Sequence, residues 1–333
     1  MKHALTCLIV AALTLTAFGC SEASGPAPSS SSPAEQSAGP ELTIAVSVPA
    51  ADHGWTAGVG WWARRAMDLY PDVNWVYATA QNPEKQISDI KDMMAQQKLD
   101  GMVVLATESA PLTPVAKQVH ENGIYLVNVD RGFLEPVADL FIEGDNEAFG
   151  RKSAEFMVDK LDGKGRIIIL EGIPSTVNTD RVEAAMEVFN KHPDIEVLAS
   201  QSGMWNREKS HEVMKNLLTQ HPDFDAIWAA DDDMALGVEQ ALKEAGKTEG
   251  IWILGGAGMN DIVKRVMEED PLYPADITYP PSMIAVGIHM CVSNLRDGKM
   301  EQVSEFMPRH MKLDVQLITP ENAEQFYFPE SVY

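Results

Sequence analysis

The chain has 333 residues, 45% of them hydrophobic, and sets 26 Lys and Arg against 49 Asp and Glu for a formal net charge of −23. That length and apolar content allow a large core and two domains. The acidity, unrelieved by any basic stripe, excludes a phosphate backbone as partner and mainly implies solubility.

Residues 1–20 read as a secretory signal. Lys2 and His3 start it, the apolar run from Ala4 to Phe18 is too short to span a bilayer comfortably, and Gly19-Cys20 closes it. Ala17-Phe18-Gly19-Cys20 resembles a bacterial lipoprotein cleavage box, so lipidation of Cys20 is expected; ordinary secretion with cleavage nearby is the alternative. Residues 21–40, rich in Ser, Pro, Ala and Gly, cannot pack a core and read as a flexible tether. With Cys7 in the signal and Cys20 lipidated, Cys291 stands alone in an apolar stretch, which leaves no disulfide framework in one mature chain.

From Leu42 onward short β-rich runs alternate with helical patterns. The runs are 42–48, 73–78, 101–105, 124–129, 166–170, 196–200, 226–230, 251–254 and 275–278. Val59, Trp62, Ala63, Ala66, Met67 and Tyr70 recur at helical spacing between the first two. Helix starts are signalled by Asn82-Pro83 before 84–97, by Asp145-Asn146 before 147–161 and by Pro280-Pro281-Ser282 before 283–295. Repeated strand–helix units predict parallel sheets covered on both faces, in two similar halves that meet near Gly144.

Side chains just beyond the carboxyl ends of parallel strands line the crevice where small ligands bind. Three stretches occupy such places: Ala51-Asp52-His53-Gly54-Trp55, Val127-Asn128-Val129-Asp130-Arg131-Gly132 and Ala229-Ala230-Asp231-Asp232-Asp233-Met234. Aromatics, carboxylates and an arginine gathered there suit a polyhydroxylated molecule. A carboxylate accepts hydroxyl protons, and a guanidinium donates through a fixed fork. The spacing of the three aspartates lacks the alternation and final glutamate of a calcium loop, so no metal is expected, and Asp232 and Asp233 read as acids at the positive end of the following helix. Gly255-Gly256-Ala257-Gly258 is no phosphate loop, because no Lys-Ser/Thr follows. No cofactor is expected.

From about Leu42 to about Leu313 the chain resembles the ribose- and galactose-type periplasmic sugar-binding proteins, solute receptors of ABC transporters. The resemblance rests on 43–48, Val129-Asp130-Arg131, Gly144-Asp145-Asn146, 173–181, 200–218 with Trp205-Asn206-Arg207, and 229–237 with Asp233-Met234-Ala235-Leu236-Gly237. It implies an α/β fold of the periplasmic binding protein type I kind: two doubly wound parallel-sheet lobes joined by a three-strand hinge, with crossings near Gly144, Tyr279-Pro280 and Pro308. One lobe then comprises 41–144 plus 281–308, the other 145–280 plus 309–333.

The resemblance also implies ligand contacts. Asp130 and Arg131 come from the first lobe, with a solvated loop pair as the bland reading. Arg181 holds an arginine position of the second lobe, and Asn178, one turn earlier, either shares the cleft or caps its helix. Trp205 stands where an aromatic stacks on the apolar face of a sugar ring; a hydrophobic staple for the next helix is the competing view. Asp52, His53 and Trp55 fall in a loop that grips the other ring face, whereas Trp61 and Trp62 read as packing residues. Asp231 matches a sugar-binding asparagine, and Glu108 is either a polar contact or an exposed loop acid. Ala257 replaces an aspartate and Tyr279 a hinge glutamine, a change of hydrogen-bond pattern that argues against ribose itself.

The expected function is an extracytoplasmic, lipid-anchored receptor, monomeric and not an enzyme, that captures a monosaccharide or polyol and presents it to an ABC permease. A sugar sensor for a chemoreceptor or kinase is the first alternative. A carbohydrate-active enzyme using Glu108, Asp130 and Asp231 is the second.

Overall fold

A computed structural model of the chain describes residues 42–296, 308–331 and 333. The signal, Cys20 and the tether lie outside the described residues.

The first half runs β1 (Thr43–Pro49), α1 (Gly54–Asp68), β2 (Asn74–Ala80), α2 (Pro83–Gln96), β3 (Gly101–Val104), α3 (Ser109–Glu121), β4 (Tyr125–Val129) and β5 (Leu140–Gly144). The second runs α4 (Asn146–Lys160), β6 (Gly165–Glu171), α5 (Thr176–Phe189), β7 (Ile195–Ser202), α6 (Arg207–Gln220), β8 (Ala226–Ala229), α7 (Asp232–Glu244), β9 (Trp252–Leu254), α8 (Asn260–Met267) and β10 (Asp276–Ile277). Then come α9 (Met283–Arg296), β11 (His310–Leu313), β12 (Leu317–Ile318) and a 3-10 turn at Ala323–Phe326.

One sheet has the order β11-β5-β4-β3-β1-β2, the other β7-β6-β8-β9, and every pairing within them is parallel. The order reverses beside β1 in one sheet and beside β6 in the other, the places where an open α/β sheet leaves a crevice at its carboxyl edge. Gly-Met-Val-Val of β3 and Ala-Ile-Trp-Ala of β8 are buried along their whole length, as strands covered on both faces must be. Helix α9 packs on α1, β3 and β4. A Cβ at Gly101 would lie 2.8 Å from Cys291 Sγ, so glycine is what lets α9 approach β3 this closely.

The chain passes between the sheets after β5, after β10 and, for the third time, after β11. That last crossing falls at residues 314–316, not at Pro308 as expected, because β11 pairs with β5 from His310 opposite Phe141 to Leu313 opposite Gly144. Residues 309–313 therefore belong to the first lobe. His310 and Lys312 are exposed and Met311 and Leu313 only half-buried, so this edge strand carries little apolar signal. Backbone pairing with β5 places it, and His310, stacked on Phe141 and 2.7 Å from Glu143 Oε1, adds a side-chain contact.

Candidate ligand-binding site

The first lobe builds its side of the site from three strand ends. After β1, His53 caps α1: its Nδ1 meets Thr56 Oγ1 at 2.7 Å and accepts from the Thr56 backbone, which fixes the ring and leaves Nε2 free of that cap. Burial lowers the His53 pKa, against the pull of Asp52, and so favours the neutral imidazole. Two residues on, the Trp55 indole N–H donates to the Tyr279 carbonyl at 2.8 Å, tying the start of α1 to the hinge. After β3, buried Gln86 donates to the Leu105 carbonyl at 2.8 Å and accepts from Thr107 N–H at 2.7 Å. That shapes the turn whose Ala106 and Thr107 carbonyls receive Arg131 Nη1 at 3.2 and 2.7 Å. After β4, Asn128 accepts from Phe133 N–H and donates to the Arg131 carbonyl, pinning the bend at Asp130. Asp130 sits at φ 66, a left-handed conformation, with Arg131 Nε 3.7 Å from its carboxylate.

The second lobe answers with Arg181 and Asp231. Arg181 Nε donates to Asn146 Oδ1 at 3.0 Å and Nη1 to the Ala230 carbonyl at 2.8 Å. Its guanidinium carbon lies 3.8 Å from the ring centre of Phe149, 4.3 Å from Tyr279 and 5.5 Å from Trp205, an aromatic box that favours a desolvated cation. Asp231 caps α7 by accepting from Met234 N–H at 3.0 Å. Burial, then the charges of Asp233 and Asp232, push its carboxyl well above the usual range. Trp205, at φ 53, lies directly over Gly172, where a Cβ would come within 1.9 Å of the indole.

Tyr279 joins the two sides. Its hydroxyl donates to Asp130 Oδ1 at 2.7 Å and accepts from Asn146 Nδ2 at 3.1 Å. Burial and Asp130 raise its pKa well above the usual phenol value, so it stays a donor.

One small cavity gathers His53, Trp55, Asp130, Arg131, Arg181, Trp205, Asp231 and Tyr279. Val177 and Ala257 complete its wall. Three lining residues, Asp130, Trp205 and Ala257, have positive φ without being glycine, and such strain clusters at functional sites.

Three expected residues lie elsewhere. Asp52 and Glu108 line the wider vestibule outside, which shares His53, Arg131 and Trp205 with the cavity. Asp52 is 76% exposed, its Oδ1 accepting from the Thr56 hydroxyl at the edge of the cap. Asn178 lines neither space. Its amide accepts from Gly172 N–H at 2.7 Å and donates to Glu171 at 3.3 Å, so it holds the loop under Trp205, while Ser175 caps α5. Conversely, Asn146 and Phe149 at the start of α4 position Arg181 and were not expected to. Their only signal is the buried polar and aromatic character of a helix start next to a crossing. Asp233 also has a role beyond the helix dipole, since its carboxylate accepts from Gly54 N–H of the opposite lobe at 2.8 Å, from Arg207 at 2.9 Å and from the Tyr333 hydroxyl at 3.2 Å.

Two doubly wound lobes that enclose a small, charge-bearing, aromatic-walled cavity and are bridged across its rim define a clamshell ligand receptor. The chain belongs to the periplasmic binding protein domain family, which it matches over residues 44–299, and that family consists of binding proteins, not enzymes. It is 32% identical to the xylitol-binding protein of Mycolicibacterium smegmatis over 212 residues, 62% of this chain and 60% of that relative's length. It is 28% identical to a ribose import binding protein of Bacillus subtilis over 243 residues, 72% of this chain and 77% of that protein. An ABC transporter solute binding protein from Bacillus halodurans, solved with bound myo-inositol, shares the fold at a TM-score of 0.78 and 20% identity, covering 86% of this chain and 97% of that one.

Proposed function

We propose that this protein is the solute receptor of an ABC importer, capturing a monosaccharide or polyol between its lobes outside the cytoplasm and delivering the closed form to a permease. The observation that carries this reading is the meeting of one carboxylate and one guanidinium from each lobe, Asp130 with Arg131 and Asp231 with Arg181, around a single small cavity walled by Trp55, Trp205 and Tyr279. Balanced charge suits an uncharged guest, hydroxyls pair with acid oxygens and guanidinium protons, and the indoles match C–H faces. The relatives named for xylitol and ribose bind molecules of this chemistry.

In this reading closure is the mechanism. A ligand touching both lobes has contacts in the closed state that the open state cannot offer, and that difference drives the population toward closure. Nothing else is asked of Asp130 and Asp231, so no covalent step is assigned to them. Anchoring through lipidated Cys20 and a tether at 21–40 completes the proposal and accounts for a receptor held at the membrane surface.

Calorimetry on purified protein with xylitol, ribose and other sugars and polyols tests it. Micromolar binding, about −8 kcal/mol, is expected for at least one compound. Arg131→Ala and Trp205→Ala should each weaken it more than about tenfold while the chain stays folded. Unchanged affinity in both variants would remove the site.

A further inference from the structure

We propose that Tyr279 sets the specificity of the cavity, blocking its hinge end so that the site takes a compact four- or five-carbon polyol or sugar in preference to a six-carbon ring. The inference rests on the sugar or polyol reading above and adds a size rule to it.

Tyr279 lies just past β10, where the chain crosses between lobes, and its side chain does not point into solvent or into one lobe's core. It runs across the back of the cleft, 2% exposed. The phenol oxygen is held by Asp130 from one side and Asn146 from the other. The ring lies against the Arg181 guanidinium and is 6.0 Å, centre to centre, from Trp55. A Cβ at Gly144 would come within 2.2 Å of the ring, so the first crossing strand is glycine where the tyrosine passes. Clamped by both lobes and by the first crossing at Gly144, the ring cannot swing aside to admit a larger guest without breaking these contacts.

What Tyr279 leaves open is small and matched on its two sides. Asp130 has given one oxygen to the phenol, Asp231 one to Met234 N–H, and Arg181 has spent Nε and Nη1. Each lobe therefore presents one acid oxygen with one guanidinium edge. Such a pair fits a vicinal diol, the acid accepting from one hydroxyl and the guanidinium donating to its neighbour. Two facing pairs engage two diols, which is a run of four hydroxylated carbons. A six-carbon ring needs further space at the end the phenol fills.

The test is calorimetry of the full chain with erythritol, xylitol and ribose against glucose, galactose, sorbitol and myo-inositol. The wild type should bind its best four- or five-carbon compound at least tenfold more tightly than any six-carbon one. Tyr279→Phe, which keeps the ring, should retain that ratio, and Tyr279→Leu, which empties the hinge end, should shift it at least tenfold toward six-carbon ligands. A wild type that prefers a six-carbon compound overturns the proposal, as does a folded Tyr279→Leu with an unchanged ratio. Should Tyr279→Leu fail to fold, the wild-type ranking and Tyr279→Phe still decide. If no compound in the panel binds at all, the receptor reading fails as well, and the two failures are thereby told apart.

Discussion

Trp205 illustrates how much of this site depends on backbone rather than on side-chain identity. An indole on a left-handed residue, lying flat on the Gly172 backbone, has no room beneath it for a methyl group. Gly172→Ala should therefore lift or tilt the ring, with an overpacking cost of about 1–3 kcal/mol. We expect ligand affinity to fall about tenfold or more with only a modest drop in melting temperature, read by calorimetry and by intrinsic tryptophan fluorescence during titration. Normal affinity in Gly172→Ala would show that Trp205 does not need this seat. The sequence makes Asp130 and Arg131 legible because chemically distinctive side chains follow a strand-like run, whereas Arg181 and Trp205 are legible only through the resemblance to the sugar-binding family. It hides Gly172, Asn146 and Phe149, whose roles exist only through what they touch. It also makes Asn178 look like a contact, since a polar residue one turn before Arg181 is close in sequence whether or not it faces the cleft.

At the scale of elements, the start of α7 concentrates acid. Asp232 accepts from the Gly256 and Met259 amides at 2.8 and 2.7 Å, and Asp276 on β10 lies beside it with one oxygen unpartnered. Burial raises Asp232 to about 7, even though those amide bonds pull it down. Burial and then the charge of Asp232 raise Asp276 well above the normal carboxyl range. An acid whose folded pKa exceeds its unfolded value of about 3.9 binds its proton more tightly in the folded state. It contributes stability fully below about pH 4, and that stability is lost as pH rises through about 7. The melting temperature should therefore decline between pH 5 and 8, as differential scanning calorimetry can record. Asp276→Asn, which places an amide donor beside Asp232, should melt higher than the wild type at pH 8 and flatten the decline. If the variant shows the same slope as the wild type, this pair is not its source. Three adjacent aspartates are plain in the sequence, but their division of labour is not. Asp231 caps α7 and lines the cavity, Asp232 braces the glycine turn at 255–258, and Asp233 reaches across to α1. Helical rotation of successive residues points each in its own direction.

The whole molecule works as a clamp, and Asp233 is its clearest rim contact outside the cavity. Its oxygens collect Gly54 N–H from the first lobe, Arg207 from the second and the hydroxyl of the terminal Tyr333. A hydrogen bond to a charged group contributes about 1.5–3 kcal/mol. Asp233→Ala should accordingly favour the open form, increasing the radius of gyration of unliganded protein in solution scattering and weakening apparent ligand affinity about tenfold, by the fraction of closed molecules lost. If the scattering curves and the affinity of Asp233→Ala overlay those of the wild type, the rim contact does not govern closure.

The α/β alternation, the meeting of two halves near Gly144 and the strand-end motifs are written in local pattern, because apolar period and turn chemistry act over a few residues. β5 and β11 are not: Leu140–Gly144 offers a brief apolar run and His310–Leu313 an edge strand half in water, so pairing across 169 positions, His310 to Phe141, places them. The same holds for the cavity. Which polar atoms remain free for a guest depends on which are consumed by Asn146, Ala230, Met234 and Tyr279, and those contacts arise only when crossings distant along the chain are brought within hydrogen-bond reach.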